Sequence, residues 1–370
     1  MTRPRASTRS SRAEQAQRVE GRPARAIVRD FRRAGTGYEV EFDARTSYDF
    51  MVSLFLDNDD VGELSAEDRK WLTEALAGLP SEVHELVPNG HKVVAPLNLA
   101  GPIVESPGVT SAAQLVALLD ATDDQALLRW LRADLLNSPE LAPYAEGAFR
   151  ADEAALAEIE RISGEYSGAA LLRDPARWLG MLRTAYRYWL TRYEPLEGRI
   201  AEILKRDVAD RAGDRATLAG PELVEQTTGG IRLLADPGVR RVILAPAYFG
   251  RPYNRIFAAN GWRLFAYPGA DTALGGTDRF TPPVSAVRLY RALGDETRLR
   301  ILKLLGERDH YLTELAQELD LSKPTIKHHL AQLRVAGLVT LTEEGSLTYY
   351  SLRRDRLDAA GREVRDYLLK

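Results

Sequence analysis

Cysteine is absent from this chain, which excludes disulfides, thiolate metal sites and thiol redox sensing. Long apolar runs are absent too: none approaches the roughly eighteen residues that a bilayer span requires. The Arg-rich start is not followed by the apolar stretch of a secretory signal, and a transit-peptide reading of it is less economical than a mobile arm. The expected location is the cytoplasm. Catalytic signatures are missing as well. There is no Gly-x-Ser-x-Gly elbow, and Gly275-Gly276 is too short, and lacks the strand-to-helix setting, for a phosphate-binding loop. Histidine is scarce, five in all. Glu82, His84, Glu85 and His91 could supply ligands, but their loop-like spacing matches no metal template. The sequence therefore predicts a protein that is not an enzyme and needs no cofactor or metal.

What is present is an ordinary globular composition, 45% hydrophobic and 28% charged over 370 residues, long enough for two or three domains. The net charge of -3 is unevenly spread. Residues 1–33 carry ten Arg against Glu14, Glu20 and Asp30, and residues 284–370 are net +2, which leaves 34–283 at -12. Basic ends around an acidic middle suit a protein of which only part meets phosphate. The arm itself is either a solvated disordered tail or a nonspecific DNA contact.

The pattern divides the chain into a disordered basic arm (1–26), a mainly α-helical domain (27–221), a small antiparallel β region packed with it (222–280) and a compact C-terminal domain (284–370). The expected fold class is α+β and mostly helical. Tyr38 to Phe42 alternates like a strand. Ser65 with Asp68, and Thr110-Ser111, look like helix N-caps, and Pro195 should break or kink the helix that contains it. In the β region, Asn260-Gly261 between two apolar runs is a hairpin cue.

The C-terminal segment is the most informative. Asp295 and Ser322 can each cap a helix. Leu312, Leu315, Ala316 and Leu319 make a positioning helix, and Asp320-Leu321 a turn. A basic helix follows in which Ile326, Leu330 and Leu333 face the core, leaving Lys323, Thr325, Lys327, His328 and Arg334 outward. His329 is expected to pack. Gly337 ends the helix, and residues 339–352 form a hairpin wing. This order is that of a winged helix-turn-helix, which places one helix in a DNA major groove.

Residues 286–352 resemble the ArsR/SmtB family of winged-helix transcriptional regulators. The matching stretches are Ala292 to Leu302, Ser322 to Leu330, Leu333 to Val339, and Tyr349-Tyr350. Asp320 stands where the family often has Gly, and Asp tolerates the left-handed conformation that the turn needs. The resemblance implies a homodimeric repressor that reads an inverted-repeat operator in double-stranded DNA. Base-reading positions map onto Lys323, Pro324, Lys327 and His328. With the neighbouring polar positions, the expected DNA-binding set is Ser322, Lys323, Pro324, Thr325, Lys327, His328, Arg334, Thr342, Ser346 and Tyr350. The family's Cys-bearing motif is absent, and no histidine follows residue 353 to build its interfacial metal site, so metal sensing of the usual kinds is not expected.

Leu357, Val364, Tyr367 and Leu368 form a stripe on the last helix that is either core or a dimer seam. With Leu289 and Leu293, resemblance favours the seam. Trp178, Tyr186, Trp189 and Tyr193 share a second stripe, either an aromatic core ridge or a pocket for a small-molecule effector. The reading is thus a DNA-binding regulator modulated by a non-metal effector through its N-terminal domain. The alternative is a metabolite-binding protein or enzyme in that domain, with an appended winged helix used for interaction or autoregulation.

Overall fold

The computed structural model describes residues 37–56, 64–86, 99–164, 168–218, 220–234, 236–269, 282, 284–344 and 347–369. The basic arm, Gly275-Gly276, His91, Ser346 and the side chains of His84 and Glu85 lie outside them. The architecture is α+β and mostly helical, ending in a winged helix-turn-helix. No described helix is long and apolar enough to cross a membrane.

Among the described residues, eight strands form two sheets. They are β1 (Glu39–Phe42), β2 (Ile231–Leu233), β3 (Val239–Ala247), β4 (Arg255–Ala259), β5 (Gly261–Pro268), β6 (His310–Tyr311), β7 (Val339–Glu344) and β8 (Leu347–Leu352). The first sheet has the order β1-β3-β5-β4 and the second β2-β7-β8-β6.

Two features differ from the sequence expectation. The first sheet is mixed: β1 and β5 both flank β3 in parallel, and only β4–β5 is antiparallel. That pair is the expected Asn260-Gly261 hairpin, with Gly261 at φ +90°. The parallel core follows from burial. Val242 and Leu244 of β3 face Leu223 and Val224 of the helix Pro221–Thr228, while Ile243 and Ala245 join the core of the long helices. A strand closed in on both faces reads as a continuous apolar run, which parallel packing demands. Second, β2 leaves this sheet altogether and pairs in parallel with β7 of the wing, Ile231 opposite Leu341.

The helix Pro175–Asp210 continues through Pro195. Pro195 lies on the exposed side while Tyr193 and Ile200 are buried. The carbonyl four residues back, on exposed Thr191, can therefore bond water instead. The caps at Ser65 and Ser111 form as local chemistry requires. Ser65 accepts from the Asp68 amide, and Ser111 makes a capping box with Gln114.

Candidate nucleic-acid interface

Three short-range devices set the recognition helix Lys323–Val335. Asp320, at φ +53°, closes the preceding helix Leu312–Leu319 in the left-handed conformation. Ser322 Oγ then accepts from the Thr325 amide at 3.2 Å and bonds the Thr325 hydroxyl at 2.7 Å. Gly337, at φ +74°, ends the helix, with its amide on the Arg334 carbonyl. Between them Ile326, Leu330 and Leu333 anchor the helix in the domain core with Leu289, Ile301, Leu315 and Val339.

That anchoring leaves Ser322, Lys323, Pro324, Thr325, Lys327 and His328 exposed together on the first two turns. Basic and hydroxyl side chains at a helix N-terminus, where backbone N–H groups also point outward, form a surface suited to phosphate and base edges. His329 is turned inward, with Nδ1 3.8 Å from Asp295 Oδ1. Burial lowers its pKa, against the pull of Asp295. Asp295 itself caps the helix Glu296–Glu307 through the Arg298 amide, and His329 Nδ1 lies buried beside that cap with no hydrogen-bond partner among the described residues.

Three of the expected DNA contacts are placed elsewhere. Arg334 is turned under the wing, facing Tyr253, Glu343 and Tyr350. Its Nη1 is buried and has no hydrogen-bond partner among the described residues. Thr342 is buried in β7, which is sandwiched between β2 and β8. Tyr350 belongs to the domain core. For Thr342 the reason is that β2 occupies the outer edge of β7, so this strand has a neighbour on both sides, whereas Tyr350 is turned into the core beneath the wing.

The expected dimer residues also divide. Leu289 is fully buried, and Leu293 and Leu357 pack on the same core, because the helix Val284–Leu293 spends its apolar face on its own domain. Val364 and Tyr367 are half-buried on the last helix Arg354–Leu369, and Leu368 is exposed. Tyr290 and Leu299, which helical periodicity groups with the apolar faces of their helices, are both 48% exposed.

Of the aromatic stripe, Tyr186, Trp189 and Tyr193 are buried, and Trp178 packs partly buried beside them. Their surfaces are occupied. Trp189 meets Trp71 edge-on at 5.6 Å and donates to Ser53 Oγ at 2.8 Å. Trp71 stacks on Phe249 at 4.9 Å. These residues lie in the apolar core as a ridge, the first of the two readings that the stripe allows.

The contact between β2 and the winged helix has no sequence signal. The Leu341 amide donates to the Gly230 carbonyl at 2.8 Å, and the Leu234 amide to the Glu343 carbonyl at 2.9 Å. Gln332, on the recognition helix, donates through Nε2 to the Tyr253 hydroxyl at 2.6 Å. Burial pushes the Glu343 carboxyl up, opposed by Arg263 and Arg334. Ile231-Arg232-Leu233-Leu234 reads as a strand from its composition, but nothing local names its partner.

Residues 295–340 match the model of the bacterial regulatory protein arsR family. An uncharacterized HTH-type transcriptional regulator of Methanocaldococcus jannaschii is 41% identical over 73 residues, 20% of this chain and 82% of that protein. The chain belongs to the ArsR family. Another ArsR-region relative, the transcriptional repressor SdpR of Bacillus subtilis, is 38% identical over 17% of this chain and 71% of its own length. Reduced HlyU from Vibrio cholerae, a solved structure, is 33% identical over 22% of this chain and 88% of that one, with a TM-score of 0.19. The ArsR likeness is confined to the C-terminal segment.

Proposed function

We propose that the chain is a DNA-binding transcriptional regulator that reads duplex DNA with the first two turns of the helix Lys323–Val335. One observation carries the reading: Ser322, Lys323, Pro324, Thr325, Lys327 and His328 are exposed as one patch, held out by buried Ile326, Leu330 and Leu333. The relatives' description as transcriptional regulators and a repressor supports it. In this reading the protein is cytoplasmic and acts as a homodimeric repressor on an inverted-repeat operator. Its two recognition helices then lie about 34 Å apart, one turn of duplex. Exposed Tyr290, Leu299, Leu368 and Leu369 supply apolar surface for the second copy. The first domain carries modulation by a non-metal effector, a role supported by its direct bonds to the wing and recognition helix.

The test is in vitro selection of bound duplexes with the full chain, followed by footprinting of the Lys327→Ala and His328→Ala double variant. Each lost base contact is expected to cost about 1–3 kcal/mol. A double variant that footprints the selected site like the parent would refute the assignment of those side chains.

A further inference from the structure

The contact between the two domains engages the same elements that a winged helix offers to DNA. β2 covers the outer edge of β7, Tyr253 holds Gln332, and Arg334 is folded beneath the wing against Tyr253, Glu343 and Tyr350. Gln332 and Arg334 lie on the second half of the recognition helix, so only its first half is free.

This arrangement is costly where it matters. Arg334 is half-buried, with its Nη1 buried and unpaired among the described residues, and a buried unsatisfied donor is a direct penalty. Glu343 is half-buried, between the Arg334 and Arg263 cations, with Asp236 repelling it and itself bonded to Arg263 at 3.2 Å. Among the described residues the contact includes a three-residue strand, Leu341 packed on the apolar cluster behind it and the Gln332–Tyr253 bond, set against two partly buried charges. A contact with opposing contributions is one that can open.

Resting on the DNA-reading function proposed above, we infer that the docking of β2 and Tyr253 on the wing is an autoinhibitory contact. Docked, the chain withholds Arg334, Gln332 and the wing from DNA. Undocked, it adds Arg334 to the phosphate contacts of Lys323 and Lys327 and becomes the tight-binding state. An effector of the first domain then acts by favouring one of the two.

Gly230 gives a way to prise the contact open. Its φ is +126°, and a Cβ there would lie 3.0 Å from the Val339 carbonyl oxygen, so Gly230→Val wedges β2 from β7. A complementary lock uses the absence of cysteine. Arg232 and Thr342 are direct partners across the two strands, so Arg232→Cys with Thr342→Cys places the chain's two thiols face to face. Both are made in the full-length protein, and operator affinity is titrated against salt, with amide hydrogen exchange of β7 as the readout of docking.

Gly230→Val is expected to expose the β7 amides and raise affinity about tenfold, as the binding-competent fraction grows. The slope of log affinity against log salt should steepen by about one, the mark of one added phosphate contact, and Arg334→Ala in that background should remove both gains. The oxidised double-cysteine chain should lose affinity and regain it on reduction, which separates locking from misfolding. An opened variant whose affinity stays level or falls, or an oxidised chain that binds like the reduced one, overturns the autoinhibition while leaving the DNA reader standing. If neither the parent nor any variant selects a duplex, the DNA-reading function fails and this inference with it.

Discussion

The Tyr193 hydroxyl, on the long helix of the first domain, donates to Asp49 Oδ2 at 2.9 Å. On the other oxygen, Asp49 accepts the Phe249 amide at 2.9 Å. Asp49 is fully buried, and burial pushes its carboxyl up from 3.8 to about 6 against the pull of these donors. Because the folded value is the higher one, the protonated group favours folding. That contribution is complete below about 3.8 and is lost as pH rises through about 6, amounting to about 3 kcal/mol. Urea midpoints measured from pH 4 to 8 should fall over this window, and the fall should flatten in Asp49→Asn. Identical profiles for the two proteins would show that Asp49 does not titrate there.

The recognition patch predicts a division of labour in salt. Lys323 and Lys327 are both exposed. If one contacts phosphate, its Ala variant should weaken all duplexes alike and reduce the salt slope by about one. If it reads a base, discrimination between sites should drop while the slope stays. Titrations of each single variant on selected and scrambled duplexes separate the two.

The patch depends on its underside. Leu330 is buried among Leu289, Ile301 and Leu315, so Leu330→Ala should destabilise the fold by about 2–5 kcal/mol through lost burial and a cavity. A calorimetric midpoint within a degree of the parent would show that the helix is not anchored there.

Asp320 holds a left-handed conformation at φ +53°, which Gly adopts without penalty. Asp320→Gly is expected to be within about 0.5 kcal/mol of the parent, whereas a β-branched Asp320→Val should cost about 1–2 kcal/mol. Equal unfolding midpoints for these two variants would mean that the turn has rearranged.

The parts legible in the sequence are those decided within a few residues. Ser322 and Asp295 cap their helices because a side-chain oxygen two or three positions ahead of a free amide is enough. Gly337 and Asp320 end theirs because few residues tolerate a positive φ. Ile326, Leu330 and Leu333 could be placed in the core from helical periodicity alone. Arg334 could not be oriented, since its position on the helix gives no sign that Tyr253 and Glu343 arrive from elsewhere in the chain to cover it. The same limit applies to strand sense. β3 reads as an apolar run, but its parallel neighbours β1 and β5 are chosen by the layers on both its faces. Trp189 and Tyr193 show the converse: a stripe that could line a cavity or fill one is decided by Trp71, Phe50 and Phe249, which a helical pattern does not contain.

The pairing of Ile231 with Leu341 changes where this protein can be cut. The arsR match, residues 295–340, ends part-way along β7, and a fragment trimmed around it would carry a bare strand. In a fragment that keeps the whole wing but drops β2, the Leu341 amide would lose the Gly230 carbonyl and the outer edge of β7 would be bare. Unpaired strand edges recruit other chains. The boundary seen by comparison and the boundary of the paired sheet are therefore different lines, and the second reaches back to β2.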